Sequence, residues 1–105
     1  MSFAVDVRDS PSAVVLVASG ELDLLGAPRL TQALPTDLDR AVVADLSGVT
    51  FMDSSGLRAL LDLRNACERQ GQTLTLARPS DAVRRVIELV DLTGDFAFSE
   101  AAPAS

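Results

Sequence analysis

Apolar positions at the start of the chain recur at every second residue. Phe3, Val5 and Val7 alternate with Ala4, Asp6 and Arg8, the spacing of a strand with one buried face. Asp9-Ser10-Pro11-Ser12 is a turn cluster, and Pro11 lacks the N–H that a sheet ladder needs. Ala13 to Ser19 is apolar on both faces, which predicts a central strand ended by Gly20. The short link between the two strands favours an antiparallel hairpin. The period then changes. Ala27, Leu30 and Leu34 share one helical face, with Gly26 as N-cap, Pro28 in the first turn and Pro35 as the stop. Ala41 to Leu46 predicts a third strand of buried character. Leu57 to Gln70 predicts the longest helix, with Leu57, Leu60, Leu61, Leu63 and Cys67 set against Arg58, Asp62, Asn65, Glu68 and Arg69, and Gly71 closing it.

The second half continues the alternation. Thr73 to Ala77 predicts a fourth strand. Pro79-Ser80 opens a last helix striped by Val83, Val86, Ile87 and Val90, and Phe96 to Phe98 predicts a short edge strand. Such an order predicts one α/β domain over residues 1–98, with a mixed, mostly parallel sheet of four to five strands packed with three to four helices. Residues 99–105, ending in small side chains, are expected to be a flexible tail.

Composition narrows the chemistry. Of 105 residues, 48% are hydrophobic and 23% charged, as in a folded globular protein. There is no His, which excludes a Ser-His-Asp triad and His-ligated zinc. The basic residues are all Arg, so Schiff-base and P-loop lysine chemistry are excluded too. The single Cys67, on the apolar face of its helix, forms no internal disulfide or metal cluster, which suits a reducing cytoplasm, and reads as a buried structural thiol. Arg84 and Arg85 read as a solvated face. A net charge of −6 opposes binding to nucleic acid or an anionic membrane. The longest apolar run, Ala13 to Ala18, is far short of the roughly 20 residues that span a bilayer. The first residues lack the basic stretch of a secretory signal. No metal, cofactor or catalytic residue is expected.

Phe51-Met52-Asp53-Ser54-Ser55-Gly56-Leu57 stands where a strand passes into the longest helix, at free backbone N–H groups and a partial positive charge. Asp and Ser are good N-caps, and capping alone would explain one of them. Three polar residues stand in a row, however, and neither serine has Glu or Gln three residues on, so no capping box ties a hydroxyl down. At least one serine is therefore expected to be free. Asp23 either caps the first helix or contributes to binding. An Asp after a strand also suggests a phosphorylated receiver, but receivers need a lysine that this chain lacks.

The run Asp45-Leu46-Ser47-Gly48-Val49-Thr50-Phe51-Met52-Asp53-Ser54-Ser55-Gly56-Leu57 closely resembles the STAS domain of bacterial anti-anti-sigma factors. The resemblance extends to Gly20-Glu21-Leu22-Asp23, Gly71, Pro79-Ser80 and Leu92-Thr93-Gly94, covering about residues 3 to 98. It implies an anti-sigma factor antagonist that binds an anti-sigma factor serine kinase and releases the sigma factor. It also implies that the kinase phosphorylates Ser54 and so abolishes binding, and that a PP2C-type phosphatase resets it. Asp23, Asp53, Ser54, Ser55, Gly56 and Arg58 are the implied partner-binding residues, in a cytoplasmic monomer or weak dimer. The alternative is a subunit docked permanently on a larger assembly, an ABC lipid transporter ATPase or a stressosome scaffold. Three positions differ from the family pattern. Gly26 stands where many relatives have Ser or Thr, Asp95 replaces an apolar residue, and Arg58 replaces a small one.

Overall fold

The computed structural model describes residues 2–101. Five strands and three α-helices follow one another as β1 (Phe3–Asp9), β2 (Ala13–Leu22), α1 (Ala27–Ala33), β3 (Ala41–Met52), α2 (Ser54–Arg69), β4 (Leu74–Ala77), α3 (Asp81–Leu89) and β5 (Ala97–Ser99), with a 3-10 turn at Thr93–Asp95 before the last strand. The sheet runs in the order β1-β2-β3-β4-β5. β1 pairs antiparallel with β2 and the remaining pairs are parallel. The expected α/β architecture is thus observed, with the upper number of strands and the lower number of helices.

The hairpin closes because buried Ser10 satisfies both polar groups of Ala13. Its hydroxyl donates to the Ala13 carbonyl at 3.0 Å and accepts the Ala13 N–H at 3.1 Å. Alternation then sorts the sheet. Val14, Leu16 and Ala18 of β2, Val42 and Ala44 of β3, and Leu74 and Leu76 of β4 join a single apolar cluster with Leu30 of α1, Leu60 and Leu63 of α2, and Val83 and Ile87 of α3. Of the intervening positions, Ala13, Val15, Asp45 and Ala77 are buried but lie outside that cluster, and Val17, Val43 and Thr75 are partly exposed. Burying a Leu or Ile side chain contributes about 1.5–3 kcal/mol, so this shared core is the main source of stability. Cys67 sits in it, fully buried, as the apolar stripe of α2 predicts.

Both central strands run further than the pattern predicts. β2 continues past Gly20 to Leu22 and β3 past Leu46 to Met52. Gly20 and the Ser47-Gly48 pair carry the composition of turns, but register shifts between β2 and β3 absorb them as bulges. Gly20 takes a φ of +94°, and a side chain there would stand 2.2 Å from the Ser2 carbonyl oxygen. The extension matters for function, because it carries both strands to a common end where Leu22 pairs with Met52.

Other departures are smaller. α2 begins at Ser54 rather than Leu57, since Asp53 supplies the cap. Val90 lies beyond α3 and is 48% exposed, so the α3 stripe ends at Ile87. β5 is one residue later than predicted. Asp95, the departure near the end, is accommodated by Arg64, whose guanidinium donates to the Asp95 carbonyl at 3.0 Å and stacks 5.6 Å from the Phe96 ring centroid. The expected tail falls outside the described residues from position 102 onward.

Candidate functional site

Because Leu22 and Met52 are paired, the residues that follow them, Asp23 and Asp53, leave the sheet side by side at the carboxyl ends of β2 and β3. The two loops are built alike. Oδ1 of Asp53 accepts the N–H groups of Ser55 at 2.9 Å and Gly56 at 3.1 Å. Oδ1 of Asp23 accepts those of Leu25 at 3.1 Å and Gly26 at 3.0 Å. Each loop is an Asp-x-x-Gly turn in which the carboxylate takes the two following free amides and the glycine seats the loop against its neighbour. A Cβ on Gly26 would lie 2.6 Å from the Glu21 carbonyl oxygen, and one on Gly56 would lie 2.2 Å from that of Leu22. Close packing thus explains Gly26, which the family pattern presents as a weak cap. Asp23 thus orders the loop ahead of α1 and does not cap the helix itself, whose N-cap is Gly26 without a side-chain hydrogen bond.

Ser54 is the first residue of α2 and is exposed, whereas Ser55 is half-buried. Among the described residues neither hydroxyl has a hydrogen-bond partner, because Asp53 does the capping. The carboxylate also stands at the positive end of the helix dipole, where an anion is favoured by about 0.3–1 kcal/mol. Arg58, one turn further along α2, is exposed and pairs with Asp62 at 3.3 Å. Ser54, Ser55 and Arg58 share a cleft of about 470 Å³ with Leu24 and with Ala27 and Pro28 of α1. Of the six residues singled out from the sequence, Asp23 therefore lies in the loop after β2, Asp53 caps α2, Ser54, Ser55 and Gly56 form its first turn beside that loop, and Arg58 follows one turn on. Among the described residues no group of three His, Cys, Asp or Glu side chains could hold a metal ion, and no helix is long and apolar enough to cross a membrane.

Two features escaped the sequence reading. Leu24 and Leu25 are 72% and 80% exposed; Leu24 lines the cleft of the serines, and Leu25 a second one with Phe3, Asp23 and Arg29. The repeat of Asp-x-x-Gly at 23–26 and 53–56 was the available signal for their shared geometry. The other feature is Asp45, buried beneath the sheet face away from the core. Its Oδ2 receives the Arg78 guanidinium at 2.5 Å, and its Oδ1 accepts the Ser47 N–H at 3.1 Å and hydroxyl at 2.8 Å. Burial alone would raise its carboxyl, but the bonds from Arg78 and Ser47 outweigh it and hold the group below the usual carboxylate range. A thirty-three-residue separation gives no local pattern from which to foresee this pair.

An exposed, unpartnered hydroxyl on a rigid helix start, with a second capped loop beside it, defines a docking module on an α/β scaffold. Residues 5–98 match the family described as "Mlab, STAS domain". The chain belongs to the STAS-domain family and, within it, to the anti-sigma factor antagonists. It is 32% identical over 98 residues to the anti-sigma-B factor antagonist of Bacillus subtilis, covering 90% of this chain and 85% of the relative. It is 37% identical over 101 residues to the anti-sigma-F factor antagonist RsfB of Mycobacterium tuberculosis, covering 90% and 80%. The crystal structure of an anti-sigma factor antagonist from Mycobacterium paratuberculosis superposes with a TM-score of 0.76 at 31% identity, over 95% of this chain and 87% of that one. Proteins of this kind regulate by binding, and the chain is a regulatory binding protein rather than an enzyme.

Proposed function

We propose that this protein is a cytoplasmic antagonist that binds an anti-sigma factor serine kinase when Ser54 is unmodified, releases the sigma factor, and loses its grip once Ser54 is phosphorylated. A PP2C-type phosphatase restores the binding form. The observation that carries this reading is the Ser54 hydroxyl, exposed and unbonded at the first position of α2. Its phosphorylation removes no native contact. A phosphoserine adds about −1.5 to −2 charges and three acceptor oxygens at this surface. A partner that had closed over a neutral hydroxyl beside Asp53 would then have to desolvate a dianion, at a cost of several kcal/mol, or affinity losses of orders of magnitude.

Calorimetric titration of the anti-sigma factor kinase with Ser54→Ala and Ser54→Asp tests this directly. Ser54→Ala is expected to bind as tightly as the unmodified protein, and Ser54→Asp to stay folded and bind at least about tenfold more weakly, 1.4 kcal/mol or more. Equal affinities for the two variants would refute the switch and leave permanent docking.

A further inference from the structure

Leu24 and Leu25 occupy, in the first Asp-x-x-Gly turn, the places that Ser54 and Ser55 hold in the second. The second turn makes the same two hydrogen bonds with hydroxyl residues there, so the turn itself does not require leucine. Nor does the core: at 72% and 80% exposure neither side chain contributes much to burial. Single exposed leucines are ordinary, but two adjacent ones at a candidate docking site are apolar surface left over by folding. Leu24 lines the same cleft as Ser54 and Arg58. Charges of both signs border the leucines, Arg58 and Asp62 in the cleft of Leu24, Asp23 and Arg29 in that of Leu25. Asp23 and Asp53 each commit one carboxylate oxygen to backbone amides, and the other accepts no hydrogen bond among the described residues. The whole chain carries −6.

From this pairing we infer that Leu24 and Leu25 are an apolar anchor that holds the anti-sigma factor kinase independently of the state of Ser54. The inference rests on the antagonist reading above. The occupant is an apolar depression on the kinase, with a basic side chain that meets Asp23. Two arguments favour it: Leu24 lines the cleft that also holds Ser54, and Asp23 beside the leucines keeps one carboxylate oxygen uncommitted in a chain of net charge −6. The first turn supplies constant affinity and the second a term that phosphorylation can reverse. Anchoring that is equal before and during phosphoryl transfer is uniform binding, which acts on KM and leaves kcat alone.

The test is the double variant Leu24→Ser/Leu25→Ser, which gives the first turn the sequence of its twin. Circular dichroism and thermal unfolding should match the wild type, because both side chains are exposed. Affinity for the cognate anti-sigma factor kinase, measured with unphosphorylated protein, should fall by roughly 30-fold or more. In steady-state phosphorylation of Ser54, KM should rise with kcat within about twofold. Wild-type affinity in the double variant, while phosphorylated wild type loses binding, would overturn the anchor and leave the antagonist reading standing. A fall in kcat at constant KM would overturn it as well. So would loss of self-association in the variant with kinase binding intact, which would make a second copy the occupant. Failure of the wild type itself to bind or be phosphorylated would overturn both readings.

Discussion

Gly56 sits at the junction of the two turns, and replacing it with alanine measures how tightly they are pressed together. Inside a helix, alanine is ordinarily preferred over glycine by about 0.8–1.0 kcal/mol, so with open space the substitution would stabilise the protein. The space is closed. The new methyl would stand 2.2 Å from the Leu22 carbonyl oxygen, 2.7 Å from Met52 Cγ and 2.9 Å from Leu22 Cγ. The nearest obstacle is backbone at the end of β2 and cannot rotate aside, so relief requires the first turn of α2 to lift by roughly 1 Å. Overpacking of this kind costs about 1–3 kcal/mol or more and exceeds the propensity gain. A net loss of about 1–2 kcal/mol is expected, and at about 4–8 °C per kcal/mol for a domain of this size the Tm should drop by roughly 5–15 °C. Urea unfolding checks it, with the midpoint falling at constant m. Gly94→Ala is the control: nothing lies within 4 Å of a Cβ there, so its stability should change by less than about 0.5 kcal/mol. A Gly56→Ala protein as stable as the wild type would refute the close seating of α2 on the β2–α1 loop.

Other substitutions address single interactions. Asp53→Ala should lose about 1–2 kcal/mol in urea unfolding through its two amide bonds, whereas Asp53→Asn, which can cap as well, should lose little. The carboxyl of Asp45 is held low in the folded protein, so its contribution is complete above the unfolded value of about 4 and is lost as pH falls through the lower folded value. Acid titrations followed by circular dichroism should therefore show Arg78→Met unfolding at a higher pH than wild type. Cys67 is fully buried and its thiol is pushed up, first by burial and then by Glu68, so a colourimetric thiol reagent should fail to react at pH 8 until urea opens the core.

The arrangement of elements was legible because each kind of burial has its own period. The alternation of Phe3, Val5 and Val7 and the stripe of Leu57, Leu60, Leu63 and Cys67 describe surfaces that one core then covers. Strand ends were less legible, because Gly20 and Ser47-Gly48 satisfy two structures equally well locally, and only the partner strand selects the bulge. At the site, the unused hydroxyl could be foreseen from the surplus of polar residues around one helix start. The twinned turn could not be weighed, since it depends on the Leu22–Met52 pairing that sets Asp23 beside Asp53. Asp45 and Arg78 are the limiting case: two charges meet across the fold with no pattern linking them in the chain.

A residue that is to be modified repeatedly must be one whose modification the fold can ignore, and Ser54 meets that condition for a physical reason. Three amides of the first turn of α2 are already occupied, since Ser55 and Gly56 donate to the Asp53 side chain and Leu57 to its carbonyl at 3.0 Å. The hydroxyl therefore supports nothing beneath it, and the glycine contacts that seat the turn lie on the opposite, buried side. A phosphate placed there would gain about 0.3–1 kcal/mol from the helix end and pay some repulsion from Asp53, two small terms of opposite sign in an exposed setting. Arg58, one turn on and paired among the described residues only with exposed Asp62, offers a further partial counter-charge. Inside an interface that excludes water the same dianion would stand desolvated beside the anionic Asp53 carboxylate. Under the proposed switch, a nearly neutral effect on folding would go with a large effect on docking because Asp53, and not Ser54, caps the helix.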